Sequence, residues 1–320
     1  MAEAITLDHG SGGEASRELI EDIFLKYLGN RHLDCLDDSA VVEVSGVRLA
    51  MTTDSYVVDP IFFSGGNIGS LAVHGTVNDL AMQGAEPIYL TIGLILEEGL
   101  AIDALTQIIE SVAHAAGEAG VQIVAGDTKV VPKGHVDKIF INTAGIGTIR
   151  RGIDVSSGNA QPGDQVLING TIGDHGITIL TQREGLKFKT GLSSDSAPLN
   201  SLVSAMLRHA TALNEIADQS RAGITLFEER LPISKAVRAA SEVLGLDPLY
   251  VANEGKCLII AGPEDAEAVL GIMKKHPYGK DARIIGEVSA EHPRRALLKT
   301  RVGGTRILSM LTGEQLPRIC

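Results

Sequence analysis

The chain has no tryptophan, only 3% aromatic residues, and three cysteines in 320 residues. So few aromatics exclude an aromatic-packed β-sandwich, while 36 glycines and many Ala and Val suit an α/β protein with tight backbone turns. Cys35, Cys257 and Cys320 are odd in number and lack CxxC spacing, which argues against a disulfide framework and a zinc site. Basic clusters are scarce too. With 28 Lys and Arg against 40 Asp and Glu, the net charge of −12 argues against nucleic-acid or anionic-membrane partners. No apolar run approaches the roughly 20 residues that span a bilayer, and no signal-peptide pattern opens the sequence. The expected location is the cytoplasm, and the length suffices for two ordinary domains.

What is present is an alternation of strand-like and helix-like stretches. Residues 49–53 read as a short strand ending at Asp54. The spacing of Ile68, Leu71, Ala72, Gly75 and Leu80 predicts a helix over 67–83. Leu105, Ile108, Ile109, Val112 and Ala116 predict another over 104–119, stopped by Gly120. A buried strand over 121–125 follows, ending in Gly126-Asp127, and 139–149 is a further strand. Turn-rich residues mark a boundary near 150–164. Beyond it, helices are expected at 200–220, 234–244 and 266–275, with strands at 166–168, 257–261 and 282–288. The expected division is an N-terminal domain over 1–150, a second α/β domain over 151–305, and a mobile tail over 306–320.

Glycines and acids are the residues best placed for chemistry. His9-Gly10-Ser11-Gly12-Gly13 precedes a helix over 15–27, and glycine-rich backbone at a helix N-terminus offers N–H groups and a positive dipole end to phosphate. The motif is neither a P-loop nor GxGxxG, so a flexible turn is its plain alternative. Asp37-Asp38 form a turn of paired carboxylates, and Asp54 lies just past a strand. Asn78-Asp79 sit inside an otherwise apolar helix, where a charge is costly unless paired or metal-bound. Asp127-Thr128-Lys129 follow a strand. Each acid alone is commonly a cap or turn residue. Four of them near element ends point to a Mg²⁺–nucleotide site in the crevice that α/β strands leave at their ends.

The sequence ends Pro317-Arg318-Ile319-Cys320. A thiol at a chain end gains little packing, but it can carry an attached group from one site to another. About twelve extended residues after Leu308 would reach on the order of 40 Å. The α-carboxylate beside the thiol disfavours thiolate, and Arg318 can offset that charge.

Taken together, residues 9–13, 37–40, 52–55, 62–69, 75–81, 126–131 and 173–176, with the terminal Pro-Arg-Ile-Cys, resemble the HypE family of hydrogenase maturation proteins. That family belongs to the aminoimidazole ribonucleotide synthetase-like (PurM-like) ATP-binding superfamily. The resemblance covers nearly the whole chain. The early motifs are shared loosely across the superfamily, and the terminal Pro-x-Ile-Cys is specific to this branch.

The resemblance implies a two-domain α/β (α+β) fold and a homodimer whose N-terminal sheets pair in a barrel-like core. It implies ATP and Mg²⁺ between the domains. In this family the HypF carbamoyltransferase loads a carbamoyl group onto the terminal thiol, and ATP drives its dehydration to a thiocyanate. The cyano group then passes to iron held by the HypC–HypD complex, on its way to a nickel–iron hydrogenase. By the same resemblance, Asp38, Asp54 and Asp79 would bind metal. Gly10, Gly12, Gly13, Asn78, Asp127 and Thr128 would bind nucleotide or phosphate, while Cys320, Glu254 and Lys129 would be catalytic. Glu254, in Asn253-Glu254-Gly255-Lys256, is the candidate base; His175 either lines the pocket or sits in a surface turn.

The chemistry suits such a set. Hydroxide is a poor leaving group, so phosphorylating the carbamoyl oxygen and removing the nitrogen protons with a base would ease loss of oxygen. One departure stands out. The family carries an Asp-Pro-Thr-Arg-Gly-Gly-like segment where this chain runs directly from Leu207-Arg208 to His209-Ala210. A true deletion would remove a metal or phosphate ligand; an omitted loop would not. Three alternatives stay open: a carrier that binds nucleotide without catalysis, a selenophosphate synthetase-like enzyme, and an aminoimidazole ribonucleotide synthetase. The second would need a Cys or selenocysteine in the glycine loop, and the third has no use for a terminal Cys.

Overall fold

The computed structural model describes residues 4–155, 159–186, 191–207, 222–313, 316 and 318–320, together with the backbone of Leu213–Asn214. The chain begins with α1 (Glu14–Leu19), which runs through a π-helical stretch, Ile20–Leu25, into the single turn α2 (Lys26–Leu28). A hairpin of β1 (Ala40–Val44) and β2 (Val47–Tyr56) follows. Next come the two-residue strands β3 (Phe62–Phe63) and β4 (Gly66–Asn67), α3 (Ile68–Met82), β5 (Ala85–Glu97), α4 (Ile102–Ala119), β6 (Gln122–Val131) and β7 (Ile139–Ile149).

The first sheet has the order β1-β2-β7-β5-β6. Its neighbours are antiparallel except β5 and β6, whose parallel pairing needs a crossover, which α4 supplies. Along β7, Ile139, Ile141, Thr143 and Ile149 turn one way and are buried. Helices α3 and α4 cover that face, with Val73, Val77, Leu80, Val112 and Ala116 in a shared core. Gly120, in the left-handed conformation (φ 73°), closes α4 as its pattern predicts.

Helix α3 starts on Asn67, whose side chain accepts from the Gly69 and Ser70 N–H groups while Ser70 Oγ accepts from Asn67 N–H. It is buried on nearly every side, from Ile68 to Ala81, instead of carrying one apolar stripe. The reason is its position: one side packs on the first sheet, and the other meets the second domain.

That domain holds β8 (Gln165–Ile168), α5 (Asp174–Arg183), α6 (Asn200–Leu207), β9 (Leu213–Asn214) and β10 (Gly223–Phe227). It continues with α7 (Lys235–Leu244), β11 (Leu258–Ala261), α8 (Ala266–Lys275), β12 (Arg283–Ser289), β13 (Ala296–Lys299) and β14 (Thr305–Leu308). Its sheet has the order β14-β13-β10-β12-β8-β11-β9, with β10 and β13 the parallel pair. Among the described residues, no helix is long and apolar enough to cross a membrane.

Three expectations change. β2 extends to Tyr56 because it pairs β7 residue for residue, so Asp54 lies within the strand, opposite Thr143. The expected buried strand at 121–125 is instead the edge strand β6, exposed along most of its length and running on to Val131. The helix expected over 200–220 is described over Asn200–Leu207, while Leu213–Asn214 pair with β11; the gap near 208–209 lies outside the described residues.

Candidate active site

A cleft of about 390 Å³ opens where α3 meets the second domain. Asp38, Asn78 and Asp79 line it from the first domain, and Asn253, Glu254 and Lys256 from the second. An apolar wall of Ile172, Leu231 and Leu249 completes it. The size and mixture suit a nucleotide-sized ligand.

Asp54 from β2 and Asp79 from α3 face each other and share a side-chain hydrogen bond. Thr76 Oγ1 donates to Asp54 Oδ2 (3.1 Å), and Thr52 Oγ1 donates to Asp79 Oδ2 (3.1 Å). Burial, reinforced by the charges of Asp54 and Asp38, pushes Asp79 up to about 9; burial also raises Asp54. At neutral pH the pair therefore keeps a proton that a divalent cation would replace. Among the described residues no group of three or more His, Cys, Asp or Glu side chains is arranged to hold a metal ion. Mg²⁺ does not need one, since it typically takes one or two carboxylates plus phosphate oxygens and water. The desolvated, mutually repelling pair beside Asp38 fits that ion.

The opposite wall is built by two interlocked loops. Asp195 accepts from Glu254 N–H (3.4 Å) and Gly255 N–H (3.2 Å), and it makes a buried ion pair with Lys256 Nζ (2.8 Å). A Cβ on Gly255 would overlap the Asp195 carbonyl, so the loops can meet this closely only at a glycine. Asn78 fastens both to α3: its Nδ2 donates to Ala197 O (3.0 Å) and Glu254 O (3.3 Å), and its Oδ1 accepts from Leu199 N–H (2.7 Å). Asn78 thus lines the cleft, but its amide is engaged as an interdomain staple. Burial is the main cause that pushes Glu254 up to about 8; the charges of Asp195 and Asp54 add to it, and a hydrogen bond with Cys320 offsets it.

That hydrogen bond comes from a docked tail. Val57 N–H donates to a Cys320 oxygen and Asp59 N–H to Arg318 O, both at 3.1 Å, so residues 318–320 run antiparallel to 57–59. The Ile319 side chain is buried with Tyr56, Val58, Ile61 and Phe63, a burial that contributes about 1.5–3 kcal/mol. Arg318 Nε donates to Val57 O (3.0 Å) and its Nη1 pairs with Asp137 Oδ2 (2.7 Å), which lowers the Asp137 carboxyl. His175 is buried, not part of a surface turn. Its Nε2 donates to Ile319 O (2.8 Å), which fixes the tautomer and leaves Nδ1 to accept from Ser194 Oγ (2.7 Å).

Other candidates lie elsewhere. Lys129 and Asp127 pair with each other on the exposed face of β6 (2.9 Å), where Thr128 is also exposed, so none of the three lines the cleft within this chain. The cause is the length of β6, which carries them along the sheet edge and not off a strand end. Of Gly10, Gly12 and Gly13, only Gly13 packs against the tail, at Leu311, where Glu14 N–H donates to Leu311 O (2.9 Å); none of the three lines the cleft. Asp195 and Lys256 were not among the candidates read from the sequence. The only local signal for Asp195 was the turn-prone Ser193-Ser194-Asp195-Ser196 run.

Comparison with known proteins identifies the family. AIR synthase related protein, N-terminal domain, matches residues 36–149, and the corresponding C-terminal domain matches 209–298. Carbamoyl dehydratase HypE of Azotobacter vinelandii is 50% identical over 332 aligned positions, covering 99% of this chain and 97% of that protein. HypE of Escherichia coli K12 is 45% identical, covering 99% of each chain. The alignment with the Azotobacter protein is longer than the 320-residue chain, so that relative carries residues this one lacks. A structure of HypE in complex with ATP superposes with TM-score 0.82 at 48% identity over 99% of this chain and 100% of that one. The HypE–HypF complex matches with TM-score 0.86 at 45% identity over 92% of this chain and 99% of that one. A thiamine monophosphate kinase shares the fold at 20% identity. The chain belongs to the HypE family of hydrogenase maturation proteins, built from the two AIR synthase-related domains.

Proposed function

We propose that this protein is an ATP-dependent carbamoyl dehydratase acting on its own C-terminus, converting an S-carbamoyl group on Cys320 to a thiocyanate that supplies cyanide for hydrogenase iron. The observation that carries the reading is the docked tail, whose thiol meets the raised carboxyl of Glu254 at the edge of the cleft. The carbamoyl oxygen attacks the terminal phosphorus of ATP, forming a C–O–P bond and releasing ADP. One nitrogen proton is released to water or phosphate as the O-phosphorylated intermediate forms; Glu254 takes the second as the C–O bond breaks, the C≡N bond is completed, and phosphate leaves with the oxygen.

Asp54, Asp79 and Asp38 would hold Mg²⁺, which when bound supplies charge neutralisation for the phosphates. Lys256 is the cation lining the cleft among its described residues, and it helps hold the Glu254 loop through Asp195. HypF is the partner for loading, as the complex of its relative with HypF supports, and the HypC–HypD pair is the proposed acceptor. A homodimer through the first sheet is supported by the exposed edge strand β6 and by exposed Met51, Tyr89 and Val130 on that sheet. In such a dimer Asp127, Thr128 and Lys129 would act near the interface. Cys35, Cys257 and Cys320 form no disulfide, which suits a reducing cytoplasm.

The test follows the C-terminal peptide by mass after incubation with HypF, carbamoyl phosphate and ATP. The expected course is gain of one carbamoyl group on Cys320, then ATP-dependent loss of one water, with both absent in Cys320→Ala. An adduct that never loses water would leave a carrier, not a dehydratase.

A further inference from the structure

Arg183 lies outside the cleft, yet its guanidinium is committed to backbone oxygens from two other parts of the molecule. Its Nε and Nη2 donate to Asp59 O (2.9 and 2.7 Å), and Nη2 also donates to Arg318 O (2.7 Å). Arg183 ends α5 in the second domain, Asp59 follows β2 in the first, and Arg318 belongs to the tail. His175 sits eight residues earlier on α5, just over two turns, so the two side chains leave the same helix face. One helix therefore grips two successive tail carbonyls, those of Arg318 and Ile319.

An ordinary strand points successive carbonyls to opposite sides. Here Arg318 adopts the left-handed conformation (φ 56°), unusual for a residue with a side chain, and this lets both carbonyls meet α5. The docked state also carries a cost: Arg318 Nη2 is buried with no hydrogen-bond partner among the described residues. A tail held by carbonyl grips, but burdened by a strained residue and an orphan donor, can both dock and leave. A thiol that must be loaded elsewhere needs both.

We propose that Arg183 is a positioning residue for the dehydration step: by fixing the Arg318 carbonyl to the domain seam, it holds the group on Cys320 against Glu254. This rests on the reaction proposed above. A freed tail would spread its thiol over the reach of the whole terminal segment, and the effective concentration at Glu254 would collapse. Loading by a partner needs the tail free, so it would not suffer.

Full-length Arg183→Met and Arg183→Lys test this, because the Arg318–Ile319 bond is a trypsin site that docking protects. Expected for Arg183→Met is about ten- to a hundredfold faster cleavage after Arg318, the range for losing charge-assisted hydrogen bonds. The carbamoyl adduct should form at the wild-type rate while its ATP-dependent loss of water slows by a similar factor. Arg183→Lys, which lacks the fork, should behave like Met. Unchanged cleavage, equal slowing of loading and water loss, or full rescue by lysine would each overturn the proposal. Should the wild type itself never lose water, the reaction reading fails, while the cleavage comparison still decides whether Arg183 holds the tail.

Discussion

Glu254→Gln is the most informative single substitution, because one carboxyl is assigned both a catalytic and a thermodynamic signature. Burial and two negative neighbours raise this group from an ordinary 4.5 to about 8. At pH 7 about one-tenth of the folded protein then has the ionised base, and the fraction rises about tenfold per pH unit below the midpoint. Water loss from pre-carbamoylated protein, timed by quenching and peptide mass, should climb with unit slope from pH 6 and level near pH 8. The Gln variant keeps the shape, loses the slope, and should run about 10²–10⁴-fold slower at pH 8. Stability carries the opposite sign. The folded state holds a proton that the unfolded chain releases, so stability present below about 4.5 is lost as pH rises through about 8. The gap between the two values corresponds to at most about 5 kcal/mol. Urea midpoints of wild type and variant should converge near pH 5, with the variant the more stable at pH 8. A rate flat in pH, or a Gln variant retaining half the wild-type rate, refutes Glu254 as the base; midpoints that stay parallel refute its burial as a neutral acid.

Two further substitutions probe the flanks of the site. Asp79→Asn removes the carboxyl held up to about 9 and should flatten the nucleotide-free loss of stability as pH rises through that value, the sign again being that of a raised acid. It should also weaken Mg²⁺-dependent ATP binding in calorimetry by about tenfold or more, as expected for a lost charged ligand; unchanged affinity with and without Mg²⁺ would remove Asp79 from the metal site. Lys256→Met leaves Asp195 buried without its cation, with side-chain exposures of 13% and 7% in the intact pair. Urea unfolding should show a loss of about 3–5 kcal/mol, and a loss below about 1 would mean that the pair is solvated in solution.

Local pattern carried much of the first domain. The helical spacing at 104–119 and the left-handed stop at Gly120 are visible without any partner, and α4 forms where they point. Pairing was not visible. Asp54 reads as a residue past a strand because the apolar run ends there, but β2 continues since β7 offers it partners as far as Tyr56. Likewise the apolar residues before Asp127 fit a central strand, while topology places β6 at an edge. His175 between two glycines resembles a turn, yet Gly173 marks the start of α5 and folds the imidazole inward under the tail. Asp195 had no readable role, because its partners lie about sixty residues away in the chain.

Asn78 and Asp79 show where a sequence reading could have gone one step further. A polar pair inside an apolar helix demands partners, and the inference that both serve the ligand treated them as one feature. Adjacent residues on a helix point about 100° apart, so they cannot share one set of partners. Asp79 turns to Asp54 and the nucleotide side; Asn78 turns to the loops carrying Ala197 and Glu254. This division has a mechanical consequence. The acid proposed to hold the metal and the amide that fastens the Glu254 loop are consecutive residues of one buried, capped helix. If Asp79 held a cation, it would do so from the same rigid element whose Asn78 fastens the Glu254 loop. In that reading, the proposed metal site, base and tail would be linked through adjacent residues of α3.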